Sequence, residues 1–190
     1  MVSGALALFG IALVVDAALA YFIATPGTMD AAYYYGGALR LVRGHGFTEP
    51  YLWNYLAGVR SLPAPGFLYW MPLTSIVSAA AMSVLGATYR AAQVPLVLAA
   101  STLPVLTYQL GKRWSIHWRA SFTAGLLVIF SGFFSLFWTG TDSFALFALL
   151  GALTLMAGAR AADSGQARIC LAAGVLAGAA HLTRADGVLL

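Results

Sequence analysis

Residues 4–24, GALALFGIALVVDAALAYFIA, run without a Lys or Arg until Thr25-Pro26-Gly27 stops them. A bilayer core of roughly 30 Å takes about 20 mostly apolar residues per helix, so this stretch predicts a spanning helix ended by a breaker pair. A cleaved signal peptide, with Ala18-Leu19-Ala20 as its cleavage site, is the competing reading. Its core would be shorter and preceded by a base, which favours an uncleaved helix. Asp16 falls near the middle of the run. An acid there is either a functional group facing other helices or water, or a protonated, hydrogen-bonded packing residue.

The rest of the chain has the same character. Of 190 residues, 61% are hydrophobic and 8% charged, and the mean hydropathy is +0.85, too little polar surface for a domain dispersed in water. The fold class expected is all-α: a polytopic transmembrane helical bundle. Ten Lys and Arg against six acids give a net charge of +4, scattered along the sequence, which argues against a nucleic-acid surface. The lone Cys170 excludes an internal disulfide or a cysteine metal cluster. The chain stops at Gly187-Val188-Leu189-Leu190, where another apolar stretch is starting, so a C-terminal truncation is expected.

Four further spans are expected at about 91–111, 120–138, 143–159 and 169–182. Lys112, Arg113, His117 and Arg119 join the first two of these, and Arg160 and Arg168 follow the third; by the positive-inside rule both basic loops are cytoplasmic. The loop 139–142 has no base and faces outward. With the N-terminus inside, Asp30 is outside and one crossing separates it from Lys112. The apolar segment 66–86 then lies along the membrane as part of an outer loop, about 25–90; a crossing there, with reassigned segments, is the alternative. A second interfacial helix, about 28–43, is capped by Thr28 or Asp30 and ended by Gly44-His45-Gly46. Tyr33, Tyr34, Tyr35, Phe47, Tyr51, Trp53, Tyr55, Phe67, Tyr69 and Trp70 give this loop the composition of a headgroup interface.

Asp30 and Asp142 thus emerge on one face, each just beyond a spanning helix. Either carboxylate has the chemistry to deprotonate a hydroxyl or hold a cation, and either has the position of a plain helix-start acid. Arg40, Arg43, Arg60 and Arg90 are candidate phosphate partners, since guanidinium matches phosphate oxygens in fork geometry; solvated or lipid-headgroup contacts are the plainer reading. Arg60 is preferred among them. Tyr33, Tyr34, Tyr69 and Trp70 offer rings for stacking on a sugar. His45 and Glu49 are near enough in sequence to join Asp30 around a divalent metal ion, although a full ligand set is not visible.

Several motifs occur in an ordered series: Met29-Asp30-Ala31-Ala32-Tyr33-Tyr34, Arg43-Gly44-His45-Gly46-Phe47, Pro63-Ala64-Pro65-Gly66, Tyr69-Trp70-Met71-Pro72-Leu73, Leu85-Gly86, Lys112-Arg113, Asp142 and the Gly174–Gly178 stretch before Thr183-Arg184. In this order the chain resembles the N-terminal portion of the C-type (GT-C) polyprenyl-phosphate-sugar glycosyltransferases, the protein-mannosyltransferase and aminoarabinose-transferase branch. The resemblance implies a plasma-membrane, multi-pass transferase with its active site on the extracytoplasmic side. Asp30 would activate an acceptor hydroxyl on a protein, lipid or glycan for inverting attack on the anomeric carbon, with the lipid phosphate leaving. Asp142 would be the second catalytic carboxylate.

The chain departs from the family pattern in three places. Many members carry Asp-Glu where this has Asp30-Ala31, a base where this has Tyr33, and Lys or His beside the loop proline where this has Ala64-Pro65. Phosphate ligands expected of the family are therefore missing from the loop. A transporter or channel-type protein is the alternative class, with Asp16 and the two prolines of the 91–111 span as its footing. A structural membrane protein is the third.

Overall fold

The computed structural model describes residues 2–52, 58, 61–130 and 132–190. Helices make up 75% of the molecule, in eight α-helices among the described residues: α1 Val2–Phe22, α2 Met29–Val42, α3 Leu73–Leu85, α4 Tyr89–Arg113, α5 Trp118–Ile129, α6 Ser135–Thr139, α7 Phe144–Ser164 and α8 Ala167–Thr183. The all-α expectation holds, with one two-residue ladder (β1 Thr48–Glu49, β2 Ala64–Pro65) pinning the loop after α2.

Three helices among the described residues, Ser3–Phe22, Tyr89–Arg113 and Phe144–Ser164, are long and apolar enough to cross a membrane. At 1.5 Å per residue α4 runs about 37 Å, more than a hydrocarbon core, whereas α3 runs only about 20 Å. The segment expected to span at 120–138 is instead broken. α5 ends at Ile129, a 3-10 turn covers Gly132–Phe134, and α6 follows. Gly132 has φ +67, a left-handed conformation that ends the α-helical hydrogen-bond series there. The segment 66–86 is helical only from Leu73, with Pro72 at its N-cap, where the missing N–H costs no helical hydrogen bond.

The ends of the helices sort into two layers. The last carbonyls of α1 have no helical partners. Arg90 donates to those of Ala20 and Tyr21, and Gln93 Nε2 reaches Ile23 at 3.3 Å and Thr139 at 3.1 Å. The end of α1, the start of α4 and the end of α6 therefore meet, and the segment between α1 and α4 leaves and returns at one end of the bundle. At the other end, Arg113 of α4 pairs with Asp163 of α7 at 2.9 Å. Basic Lys112, Arg113, Arg119, Arg160 and Arg168 belong to that end, while Asp30, Asp142 and Arg184 belong to the first.

Small residues let the helices close. Ala99 and Ala100 of α4 pack against Ala145 of α7, and Ala91 and Ala92 against Ala38, Ala79 and Met82 of α2 and α3. Leu8 and Ala12 of α1 meet Tyr108 and Ile129. In a bilayer there would be little hydrophobic drive between helices, and such close approach is what would hold them.

Candidate functional site

Thr28 has an extended backbone and its hydroxyl accepts from Ala31 N at 3.2 Å, which starts α2 and fixes Asp30 in its first turn. The same end of α2 receives the turn before α7. Thr141 Oγ1 donates to the Ala31 carbonyl at 2.8 Å, and Thr28 Oγ1 lies 3.5 Å from Asp142 Oδ2. Residues more than a hundred apart in sequence are thereby clamped together.

Asp30 opens into a cavity of about 290 Å³ lined with Tyr34, Tyr69, Trp70, Met71, Arg184 and Asp186. Tyr34 lies one helical turn after Asp30, so both project to one side of α2. The rings of Tyr69 and Trp70 are 4.2 Å apart and tilted by 41°, forming an aromatic wall. Arg184, just past α8, supplies the cation. Asp186 holds its Nη2 at 3.2 Å, Ser143 Oγ accepts from Nη1 at 3.3 Å, and the guanidinium lies over the rings of Phe144 and Phe147 at 5.0 and 5.8 Å. Burial pushes the Tyr34 hydroxyl up to about 12; the negative Asp142 and Asp30 add to this, while Ser143 and Arg184 oppose it. It is a neutral donor at ordinary pH.

Asp142 lies outside the lining of this cavity. It is only 3% exposed, accepts from Ser143 N at 2.7 Å, and lines a second, mostly apolar cavity of about 210 Å³ with Tyr89, Leu136 and Phe137. Burial raises its pKa above the ordinary 3.8, the negative charge of Asp30 raises it further, and Ser143 and Arg184 pull it down. The two aspartates are thus electrostatic neighbours, but only Asp30 lines the aromatic cavity. A carboxylate whose folded-state pKa is raised stabilises the fold fully below its unfolded value and loses that contribution as pH rises through the raised one. Thermal unfolding in detergent is therefore expected to show stability falling as pH rises above about 4, and Asp142→Asn is expected to flatten that slope. A slope unchanged in the variant would remove Asp142 as its source.

Other expected site residues lie elsewhere. Tyr33 turns away from the cavity: its hydroxyl accepts from Phe67 N at 2.9 Å beside the buried Glu49. Burial raises its pKa and the adjacent Glu49 adds to the shift. Arg40 is tied to Thr48 Oγ1 at 2.9 and 2.5 Å, and Arg43 is exposed at the C-cap. Both lie 10–13 residues beyond Asp30, about 15–20 Å along α2, so neither shares its cavity. Arg90 serves the end of α1. Arg60 lies outside the described residues.

The expected metal group of Asp30, His45 and Glu49 is not assembled. Asp30 and His45 are at opposite ends of α2, roughly 20 Å apart along its axis, too far to share one ion. Among the described residues no group of three His, Cys, Asp or Glu is gathered to hold a metal.

Arg184 and Asp186 were not singled out by residue chemistry in the sequence. The signal was parity: a helix returning from the Arg160 and Arg168 loop must deliver its end, Thr183-Arg184, to the Asp30 end. Fold and site together define a helical protein with membrane-compatible spans and a charged, aromatic cavity at one end. No known family model, curated protein sequence or solved structure matches the chain.

Proposed function

We propose that this chain carries the catalytic end of a membrane glycosyltransferase that moves a sugar from a polyprenyl-phosphate carrier to an acceptor hydroxyl, with inversion, on the extracytoplasmic face. One observation supports the reading above others: Asp30, Arg184 and the Tyr69–Trp70 wall share a single open cavity. Asp30 takes the acceptor proton as the acceptor oxygen bonds to the anomeric carbon. The bond from that carbon to the phosphate oxygen breaks, and the polyprenyl phosphate leaves with the electron pair. Arg184, held as a fork by Asp186 and Ser143, balances the phosphate charge in place of the loop bases that the sequence lacks. Tyr69 and Trp70 carry the sugar, and α3 lies along the membrane beside the isoprenoid.

Incubation of membranes containing the protein with a radiolabelled polyprenyl-phosphate sugar tests this. Label is expected to pass to a hydroxyl acceptor with inverted anomeric configuration; retention, or no donor-dependent transfer, would sink the proposal. Arg184→Gln should raise the donor KM by roughly tenfold or more, the loss of one charge-assisted contact, with a smaller change in kcat.

A transporter is the second reading. Asp16 of α1, 7% exposed, accepts from Ser101 Oγ of α4 at 2.8 Å inside two long apolar helices, a polar pair of the kind found in substrate pathways. Substrate flux abolished by Asp16→Asn but not by Asp30→Asn would favour it.

A further inference from the structure

The face between α4 and α7 carries an apolar groove of about 410 Å³, far from the Asp30 cavity. Leu106 and Leu110 form one wall and Leu155 and Met156 the other, with Arg113 and Trp114 at its mouth. We infer that this groove binds one acyl chain of an anionic phospholipid, whose phosphate rests on Arg113.

Length supports a single chain. The groove runs from Leu103 to Arg113, about 15 Å of helix, which is half of a roughly 30 Å hydrocarbon core and so the depth of one leaflet.

Charge selects the headgroup. The mouth opens at the end of the bundle that carries Lys112, Arg113, Arg119, Arg160 and Arg168 against the single acid Asp163. Asp163 engages Arg113 through Nη2 alone, and both side chains are partly exposed, so the pair is readily opened. Trp114 is 68% exposed at the same level, and Arg119 lies over the Trp118 ring at 5.5 Å. Exposed Trp beside Arg is the composition of a headgroup layer.

Native mass spectrometry of the full chain, released from micelles with equal phosphatidylglycerol and phosphatidylcholine of identical acyl chains, tests it. Phosphatidylglycerol adducts are expected to exceed phosphatidylcholine adducts about fivefold, the preference one basic side chain provides near an anionic headgroup. Arg113→Gln should erase the preference while keeping both adducts. Ala152→Phe, which fills the groove wall, should reduce both. Equal retention by the wild type, a preference that survives Arg113→Gln, adducts unaffected by Ala152→Phe, or a dimer displacing lipid would each overturn the inference. Far-ultraviolet circular dichroism would verify that both variants keep their helices.

Discussion

Replacing Asp30 by asparagine is expected to lower sugar transfer by about 10²–10⁴-fold, the range ascribed to a positioned general base, while the protein remains inserted and folded. Asparagine preserves the shape of the cavity wall and leaves the Thr28 cap intact, because the cap uses the Ala31 N–H and not the Asp30 side chain. What disappears is the proton acceptor. A second effect follows from electrostatics: Asp30 is one of the charges that raise Asp142, so its neutralisation should bring Asp142 back toward the ordinary carboxylate range. The fall in stability with rising pH should then end at lower pH in the variant than in the wild type, which a merely structural Asp30 far from Asp142 would not produce. Asp186→Asn provides the contrast. Its carboxylate is 60% exposed and holds Arg184 without being placed as the base, so a loss below about tenfold is expected. Equal transfer rates for wild type and Asp30→Asn would end the catalytic assignment.

Much of the architecture was legible because apolar length and breaker residues act locally. The expected start of α2 at Thr28 and its stop near Gly44 agree with Met29–Val42, since a capping hydroxyl and a glycine act within one turn. Parity of basic loops sorted the helix ends, since each crossing reverses the end on which the next loop falls. The break at Gly132 was not legible: an isolated glycine in an apolar run is tolerated in many helices, and nothing in its sequence neighbours announces the left-handed φ it adopts. The site was half legible. Asp30, Tyr34, Tyr69 and Trp70 share the cavity, but Tyr33 and Arg40 do not, because neighbouring positions on a helix point in different directions and α2 is too long for its two ends to meet. Arg184 was hidden by distance, being brought to Asp30 only by the return of α8.

The adjacent glycines of α2 offer a paired prediction on which the cavity geometry depends. A Cβ on Gly36 would meet nothing nearer than Tyr51 Oη at 3.7 Å, an ordinary contact, so Gly36→Ala should be neutral or stabilise by up to about 1 kcal/mol through helix propensity. A Cβ on Gly37 would fall 2.6 Å from Phe67 Cζ and 2.9 Å from Ser75 Oγ. Neither neighbour yields without losing a contact. Phe67 is tied through its backbone N–H to Tyr33 and Glu49 and packs edge-on against Tyr33 and Phe47, while the fully buried Ser75 donates to the Tyr34 carbonyl at 2.8 Å. Gly37→Ala should therefore destabilise by about 1–3 kcal/mol despite the better helix former, as overpacked cores do. Because the Ser75 bond sets the position of Tyr34, pushing α3 away also moves one wall of the Asp30 cavity, and donor KM should rise along with the fall in stability. Denaturant unfolding of the two variants side by side checks the claim. Equal stability would mean that α2 and α3 do not approach as closely as Gly37 permits, and the cavity beside Asp30 would lose the support on which its shape rests.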